Sequence, residues 1–143
     1  TQVGPVIDAA ARSTLAATLH QRRAAGQVLW EADIGEKAKI GCFFAPAIVE
    51  LTSMDEIAEE VFGPILHVVR YDPDEIEAVG AQLSAKGYAL TLGVHSRLDS
   101  FAERVMRSVK AGNVYINRSM IGAVVGVQPF GGMGLSGTGP KAG

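Results

Sequence analysis

The apolar residues of this chain follow a helical period at the start and change to short continuous runs near residue 65. Asp8 precedes an alanine-rich stretch in which Leu15 and Leu19 mark one face, and Gly26 follows that stretch. An aspartate at the N-cap and a glycine just past the last turn are typical helix boundaries. The pattern therefore predicts a helix between Asp8 and Gly26.

Two strands are predicted to follow this helix, over residues 27–32 and 43–51, with a polar turn between them. Pro46 lies inside the second apolar run. Because proline has no N–H to donate to a neighbouring strand, we expect Pro46 to mark an edge strand or a bulge.

Three apolar runs alternate with two amphipathic stretches in the second half of the chain, an order typical of a β-α-β-α-β unit. The runs are residues 65–69, 90–94 and 113–117. The first helix is predicted from Asp72-Pro73 to Gly87, and the second from Ser96 or Asp99 to Gly112. Strands joined by helices lie parallel in one sheet with right-handed crossovers, so we predict an α/β fold.

Glycine dominates the last part of the chain, where eight of the 17 glycines lie between Gly122 and Gly143. We predict a loop here and not a strand or helix, and a loop after a parallel strand is a common place for a ligand site. The letters GMGLSG at 132–137 match the dinucleotide pattern G-x-G-x-x-G. A strand directly before it and an acidic residue about 20 positions later are both missing, so we reject a Rossmann interpretation.

Charge and composition exclude several classes of partner. The 143 residues include 13 basic and 15 acidic side chains, and this balance offers no basic surface for nucleic acid or anionic lipid. Residues 119–140 carry no charge, but their glycines and prolines make a membrane-spanning helix improbable. We therefore expect a globular chain with a small-molecule substrate and no integral membrane segment.

The single cysteine and the three histidines give no support for thiol or metal chemistry. Cys42 has no partner for an intrachain disulfide, which favours a reducing, cytoplasmic location, and we expect it to be a small buried residue. His20, His67 and His95 are far apart and have no metal-ligand spacing, so no metal site is predicted. We expect His67 and His95 to be hydrogen-bonded residues within strands.

The stretch EEVFGPILHVV at 59–69 combines two acids, an aromatic residue and a buried run. On composition alone, Glu59 and Glu60 are a solvated helix end and Phe62 is a hydrophobic anchor, because exposed acids are common. That structural interpretation stays open beside a functional one.

Three segments together resemble the aldehyde dehydrogenase superfamily: EEVFGP at 59–64, AGNVYIN at 111–117 and QPFGGMGLSGTG at 128–139. The segment IGAVVGVQPFGG at 121–132 is similar to the substrate loop of L-glutamate γ-semialdehyde (Δ1-pyrroline-5-carboxylate) dehydrogenases, including the dehydrogenase module of the bacterial bifunctional proline utilisation A family. The resemblance covers nearly the whole chain. It implies the C-terminal part of the aldehyde dehydrogenase catalytic domain, with a β-α-β-α-β parallel sheet and a Gly-rich substrate loop.

The resemblance also implies roles for five residues. Glu60 matches the acid that accepts hydrogen bonds from the nicotinamide ribose of NAD, and Phe62 matches the aromatic residue beside the nicotinamide. Gly122 and Ala123 match positions whose backbone N–H groups hold the substrate α-carboxylate, and glycine allows such close approach. Phe130 matches the aromatic residue that packs on the aliphatic chain of the substrate.

The family's nucleophilic cysteine and glutamate base have no counterpart here, so no catalytic residue is assigned. We expect residues 1–143 to be a partial aldehyde dehydrogenase catalytic domain, without the nucleotide-binding half and the nucleophile segment, and inactive alone. The expected partner is the rest of a parent polypeptide that forms a homo-oligomer. The parent would oxidise L-glutamate γ-semialdehyde to L-glutamate with NAD, and FAD would be needed only if a proline dehydrogenase module precedes it.

Two alternatives remain open at this point. The first alternative to the expected dehydrogenase fragment is a non-catalytic module that keeps the aldehyde dehydrogenase shape for subunit contact or regulation. The second is part of an enzyme for another carboxylate-bearing semialdehyde.

Overall fold

A computed structural model describes residues 3–36, 40–121, 126–137 and 141. The chain forms two compact units, Thr1–Arg70 and Tyr71–Gly143. The elements of the first unit are α1 (Ala9–Ala24), β1 (Val28–Glu31), β2 (Ala47–Leu51) and β3 (Ile65–Val69). Those of the second unit are α2 (Ile76–Ala85), β4 (Tyr88–Ala89), β5 (Thr91–Val94), α3 (Asp99–Ser108), β6 (Asn113–Ile116) and β7 (Met133–Gly134).

Helix α1 has the boundaries that its sequence predicts. The side chain of Asp8 accepts a hydrogen bond from the N–H of Ala11 at 2.8 Å, and Gly26 has a φ of 71°, which glycine adopts without strain. Leu15 and Leu19 are buried, at 2% and 4% exposure. They pack in the core of the first unit with the inner face of the sheet.

The sheet of the first unit has the order β1-β2-β3, in which β1 and β2 are antiparallel and β2 and β3 are parallel. The prediction that the Pro46 strand is an edge or carries a bulge is wrong. Strand β2 is the central strand, and the bulge lies in β1 between Val28 and Trp30. Pro46 lies just before β2, where its missing N–H costs no ladder hydrogen bond.

The second unit confirms the predicted helix that connects two parallel strands. Strands β5 and β6 pair in parallel, from Thr91 with Asn113 to Val94 with Ile116, and α3 lies between them in sequence. Its core is formed by α2, β5 and α3. Gly80 of α2 has no space for a side chain, because a Cβ there would lie 2.5 Å from Cβ of Ser108.

The three strands predicted to form one sheet lie in two sheets. The α/β class and the aldehyde dehydrogenase fold are confirmed. Strand β3 pairs with β2 in the first unit, whereas β5 pairs with β6 in the second. The predicted glycine-rich loop also contains a short strand, since Met133–Gly134 pairs antiparallel with Tyr88–Ala89. No helix in the described part of the chain is long and apolar enough to cross a bilayer.

Candidate functional site

A cleft of about 500 Å³ lies between α1 and residues 56–62 of the first unit. Glu60 and Phe62 both line it, and both are exposed, Phe62 by 85%. An aromatic ring and a carboxylate, separated in sequence only by Val61, are therefore both exposed at one cleft. Helix α1 forms the opposite wall of this cleft.

The 56–62 segment is anchored at its beginning by Glu56. The guanidinium of Arg22, in the last turn of α1, donates to the Glu56 carboxylate at 2.7 Å and to the Glu56 main-chain oxygen at 2.7 Å. Gln27 donates to the same carboxylate oxygen as Arg22, and Thr52 donates to the other from both its N–H and its hydroxyl. Five donors from α1, the following loop and the end of β2 thus converge on one residue.

The hydrogen bonds from Gln27 and Thr52 keep Glu56 ionised. They hold the pKa of its carboxyl at about 2, below the ordinary 4.5, and the bond from Gln27 has the largest effect, followed by those from Thr52. Since each bond favours the charged form, the anchor is strongest when the carboxylate carries its charge. The segment is therefore fixed on α1 at neutral pH.

The other end of the segment is anchored by close packing. A side chain at Gly63 would lie 2.5 Å from the Leu15 side chain, so only glycine lets the chain pass this close to α1. The next residue, Pro64, accepts a hydrogen bond at 3.0 Å from the N–H of Ala47, which leads into the sheet. Glu60 and Phe62 therefore lie on a short span that is held at both ends, which is what a binding segment needs to present its side chains.

The other predicted site residues lie in the second unit or outside the described residues. Phe130 is half-buried in the second unit, directly before Gly131. Gly122 and Ala123 are not among the described residues. The structure thus places Glu60 and Phe62 at one cleft and leaves their roles, like those of the other three, as predictions.

Sequence analysis missed the wall that α1 contributes. The α1 residues at the cleft are Ala11, Thr14, Leu15, Thr18, Gln21 and Arg22. The signal that could have found them is their spacing of three or four residues on the face that also carries Leu15. It also missed Arg22 and Glu56, because only the tertiary structure brings residues 34 positions apart into contact.

Two expectations for the thiol and the histidines need correction. Cys42 is half-buried and not buried as expected. His67 lies in β3, but its buried Nε2 has no hydrogen-bond partner among the described residues, and His95 is exposed and follows β5. Burial, with a smaller effect from the charge of Arg22, lowers the pKa of His67 from 6.5. In the described ranges, no three side chains of the metal-binding types lie together.

The fold agrees with the comparisons to known proteins. The profile of the aldehyde dehydrogenase family matches residues 1–143, and the chain belongs to this family. Membership implies a nicotinamide cofactor.

Within the family, the chain is similar to bifunctional PutA proteins and to 1-pyrroline-5-carboxylate dehydrogenases. It is 50% identical to the bifunctional protein PutA of Klebsiella aerogenes and 35% identical to the 1-pyrroline-5-carboxylate dehydrogenase of Bacillus thuringiensis, in each case over 100% of the chain. It spans 11% of the length of the first protein and 27% of the second.

Two solved structures similar to this chain come from the same two kinds of protein. A crystal structure of a variant of proline utilization A from Bradyrhizobium japonicum has a TM-score of 0.90 at 54% identity, and covers 99% of this chain and 14% of that one. A 1-pyrroline-5-carboxylate dehydrogenase structure has a TM-score of 0.77 at 36% identity, and covers 94% of this chain and 26% of that one.

Proposed function

We propose that this chain supplies cofactor and substrate contacts to an NAD-dependent dehydrogenase that oxidises L-glutamate γ-semialdehyde to L-glutamate in proline catabolism. The observation that carries the proposal is the 50% identity to a bifunctional PutA protein over the whole chain. The similarity to a 1-pyrroline-5-carboxylate dehydrogenase supports the same substrate. The exposed pair Glu60 and Phe62 at one cleft supports a cofactor contact.

The residues at the cleft fit the nicotinamide end of NAD. A carboxylate such as Glu60 can accept hydrogen bonds from two neighbouring ribose hydroxyls, and the Phe62 ring offers an apolar face to a flat heterocycle. The oxidised nicotinamide carries a positive charge, so a carboxylate nearby favours it electrostatically. NAD would supply the hydride acceptor for the oxidation. Glu60 would hold and orient the ribose, and Phe62 would cover the nicotinamide ring.

The substrate contacts are assigned to the second unit and to the loop before β7. Backbone N–H groups at Gly122 and Ala123 would hold the α-carboxylate, and the Phe130 ring would pack on the aliphatic chain. Residues 119–140 contain no acidic side chain that would repel the carboxylate. An anionic substrate with a short apolar chain therefore suits this segment.

We also propose that the nucleophile, its general base and the nucleotide-binding half belong to other parts of a longer polypeptide. The chain spans only 11% of its PutA relative, and Cys42 lies between Gly41 and Phe43, outside any nucleophile motif. The 143 residues alone should not turn over. The whole protein is proposed to be a cytoplasmic homo-oligomer, with FAD only in a proline dehydrogenase module.

The test uses the full-length protein that carries this chain. Purified protein should form NADH from L-glutamate γ-semialdehyde, and Glu60→Gln should weaken NAD binding in calorimetry. Losing a hydrogen bond to a charged group costs about 1.5 to 3 kcal/mol, which is a rise in Kd of about 10- to 150-fold. The matched control is Glu103→Gln, which makes the same charge change on exposed α3 and should leave Kd unchanged.

Three results would contradict the proposal in different ways. Unchanged NAD affinity in Glu60→Gln would refute the proposal that Glu60 binds the ribose of NAD. Faster oxidation of another carboxylate-bearing semialdehyde would change the substrate. Failure to oxidise any aldehyde would favour the alternative of a non-catalytic structural module.

The carboxylate site has its own test. Ala123→Val should raise KM for the semialdehyde more than KM for propanal, and an equal effect on both would refute the assignment of Ala123 to the substrate carboxylate.

A further inference from the structure

Phe130 lies on a turn that two side chains of β6 hold. Asn113 and Tyr115 alternate with exposed residues along this strand, so both point to its buried face. They are 7% and 6% exposed. A buried asparagine in a strand is costly unless its amide is fully used, so its partners identify what it does.

The Asn113 side chain connects two segments that are distant in sequence. Its Nδ2 donates to the carbonyl of Leu90 at 3.0 Å and to the carbonyl of Gly131 at 3.0 Å. Leu90 directly precedes β5, and Gly131 directly follows Phe130. Both protons of the amide are therefore used, and the position after Phe130 is fixed to the sheet.

Tyr115 holds the position on the other side of Phe130. The amide of Gln128 donates to the Tyr115 hydroxyl at 2.7 Å, two residues before Phe130. The Tyr115 ring is itself covered by the guanidinium of Arg118, whose carbon lies 4.8 Å from the ring centroid. The two contacts bracket the turn 128–131 on both sides of the aromatic residue.

We propose that Asn113 and Tyr115 are positioning residues that set where the Phe130 ring stands and so determine affinity for the aliphatic part of the aldehyde substrate. They act through residues 128 and 131 and do not touch the substrate. The role of Phe130 in substrate binding rests on the proposed function. The geometry of the turn rests only on the hydrogen bonds described above.

The first experiment is Tyr115→Phe in the full-length protein, which removes only the hydroxyl. Loss of one neutral hydrogen bond, about 1 kcal/mol, should raise KM for L-glutamate γ-semialdehyde about 5-fold, with kcat and KM for NAD unchanged. Tyr71→Phe is the matched control, because Tyr71 is exposed in the same unit, and it should change nothing. Gln128→Leu removes the same bond from the loop side and should reproduce the effect without touching the strand.

Combining variants separates positioning from general stability. In a Phe130→Ala background, Tyr115→Phe should cause no further rise in KM, and Tyr115→Phe with Gln128→Leu should equal either alone. A Tyr115→Phe protein with wild-type KM would overturn the proposal, as would an additive rise in the Phe130→Ala background.

A fluorine label on Phe130 distinguishes failure of the positioning proposal from failure of the proposed function. With 4-fluorophenylalanine placed only at position 130, the ¹⁹F resonance should shift or broaden in Tyr115→Phe and Gln128→Leu but not in Tyr71→Phe. An altered resonance in a protein that oxidises no semialdehyde would refute the function and keep the positioning geometry. An unaltered resonance would refute the positioning itself.

Discussion

Arg22 and Glu56 join the last turn of α1 to the segment that carries Glu60, with two hydrogen bonds of 2.7 Å from one guanidinium. The side chain of Arg22 is 12% exposed and that of Glu56 26%, so this pair is more sheltered than an ordinary surface salt bridge. A guanidinium binds a carboxylate and a carbonyl at once because its donors lie in a fixed plane. The pair therefore attaches the beginning of the 56–62 segment to α1.

Arg22→Met should loosen the attachment of the 56–62 segment to α1, because methionine keeps the aliphatic bulk of arginine but not its hydrogen-bond donors. Losing charge-assisted hydrogen bonds should lower the free energy of local opening of residues 54–64 by about 1.5 to 3 kcal/mol, and NAD binding should weaken. Amide hydrogen exchange followed by mass spectrometry measures the opening. Arg23→Met is the control, because Arg23 pairs with Glu31 at the surface and should change protection by less than about 1 kcal/mol. Equal effects of the two substitutions would contradict the anchor.

The Glu56 anchor should fail in acid. Its folded pKa of about 2 lies below the ordinary 4.5, so the carboxylate contributes stability that is complete above pH 4.5 and is lost as pH falls toward 2. In Glu56→Gln, residues 54–64 should exchange faster than in the wild type near neutral pH. That difference should shrink between pH 4.5 and 2, and a difference independent of pH would argue against an ionised anchor.

His67 should titrate below its ordinary value, and Arg22 should be part of the reason. Burial lowers the pKa of His67, and the charge of Arg22 lowers it further. The unfolded chain therefore takes up a proton near pH 6.5 before the folded chain does, so stability falls as pH drops through this range. Histidine C2 hydrogen exchange against pH should show a raised pKa in Arg22→Met but not in Arg23→Met. The same pKa in all three proteins would exclude the electrostatic coupling.

Gly112→Ala should displace the turn beside Phe130. A Cβ at this position would overlap the carbonyl of Gly131 and lie 2.9 Å from Cα of Gly132. Both neighbours are backbone, so no rotamer change relieves the clash, and overpacking of this kind costs about 1 to 3 kcal/mol. Residues 128–134 should exchange faster and KM for the semialdehyde should rise. Gly4→Ala has nothing within 4 Å of the new methyl group and should be neutral; unchanged exchange in Gly112→Ala would show that the turn tolerates a side chain.

Local signals predicted where α1 and α2 lie, whereas α3 ends at Ser108, before the predicted Gly112. Asp8 and Gly26 enclose α1, and Asp72, whose side chain accepts a hydrogen bond from Asp74, precedes a short 3-10 turn and then α2. Such boundaries depend on hydrogen bonds and backbone angles within a few residues, which the sequence displays directly. Strand partners depend on contacts across the fold, so the pairing of β3 with β2 and of β7 with β4 was not predicted.

The same division holds for the site. Motif resemblance predicted Glu60 and Phe62, and the structure places both at one cleft. The motif AGNVYIN contains Asn113 and Tyr115 but gave no role for them, and no motif contained Arg22 or Glu56. These side chains act on partners between 13 and 34 residues away, which a local motif does not show. A motif records which residues face a ligand more readily than which residues hold them.

The sequence by itself determined the family, the boundaries of α1 and the residues expected to meet cofactor and substrate. Only the tertiary structure decided how the segments that carry those residues are held: Glu56 fixed to α1 by Arg22, and the Phe130 turn fixed to β6 by Asn113 and Tyr115. The physical reason is that a hydrogen bond acts over about 3 Å of space, whatever the separation along the chain.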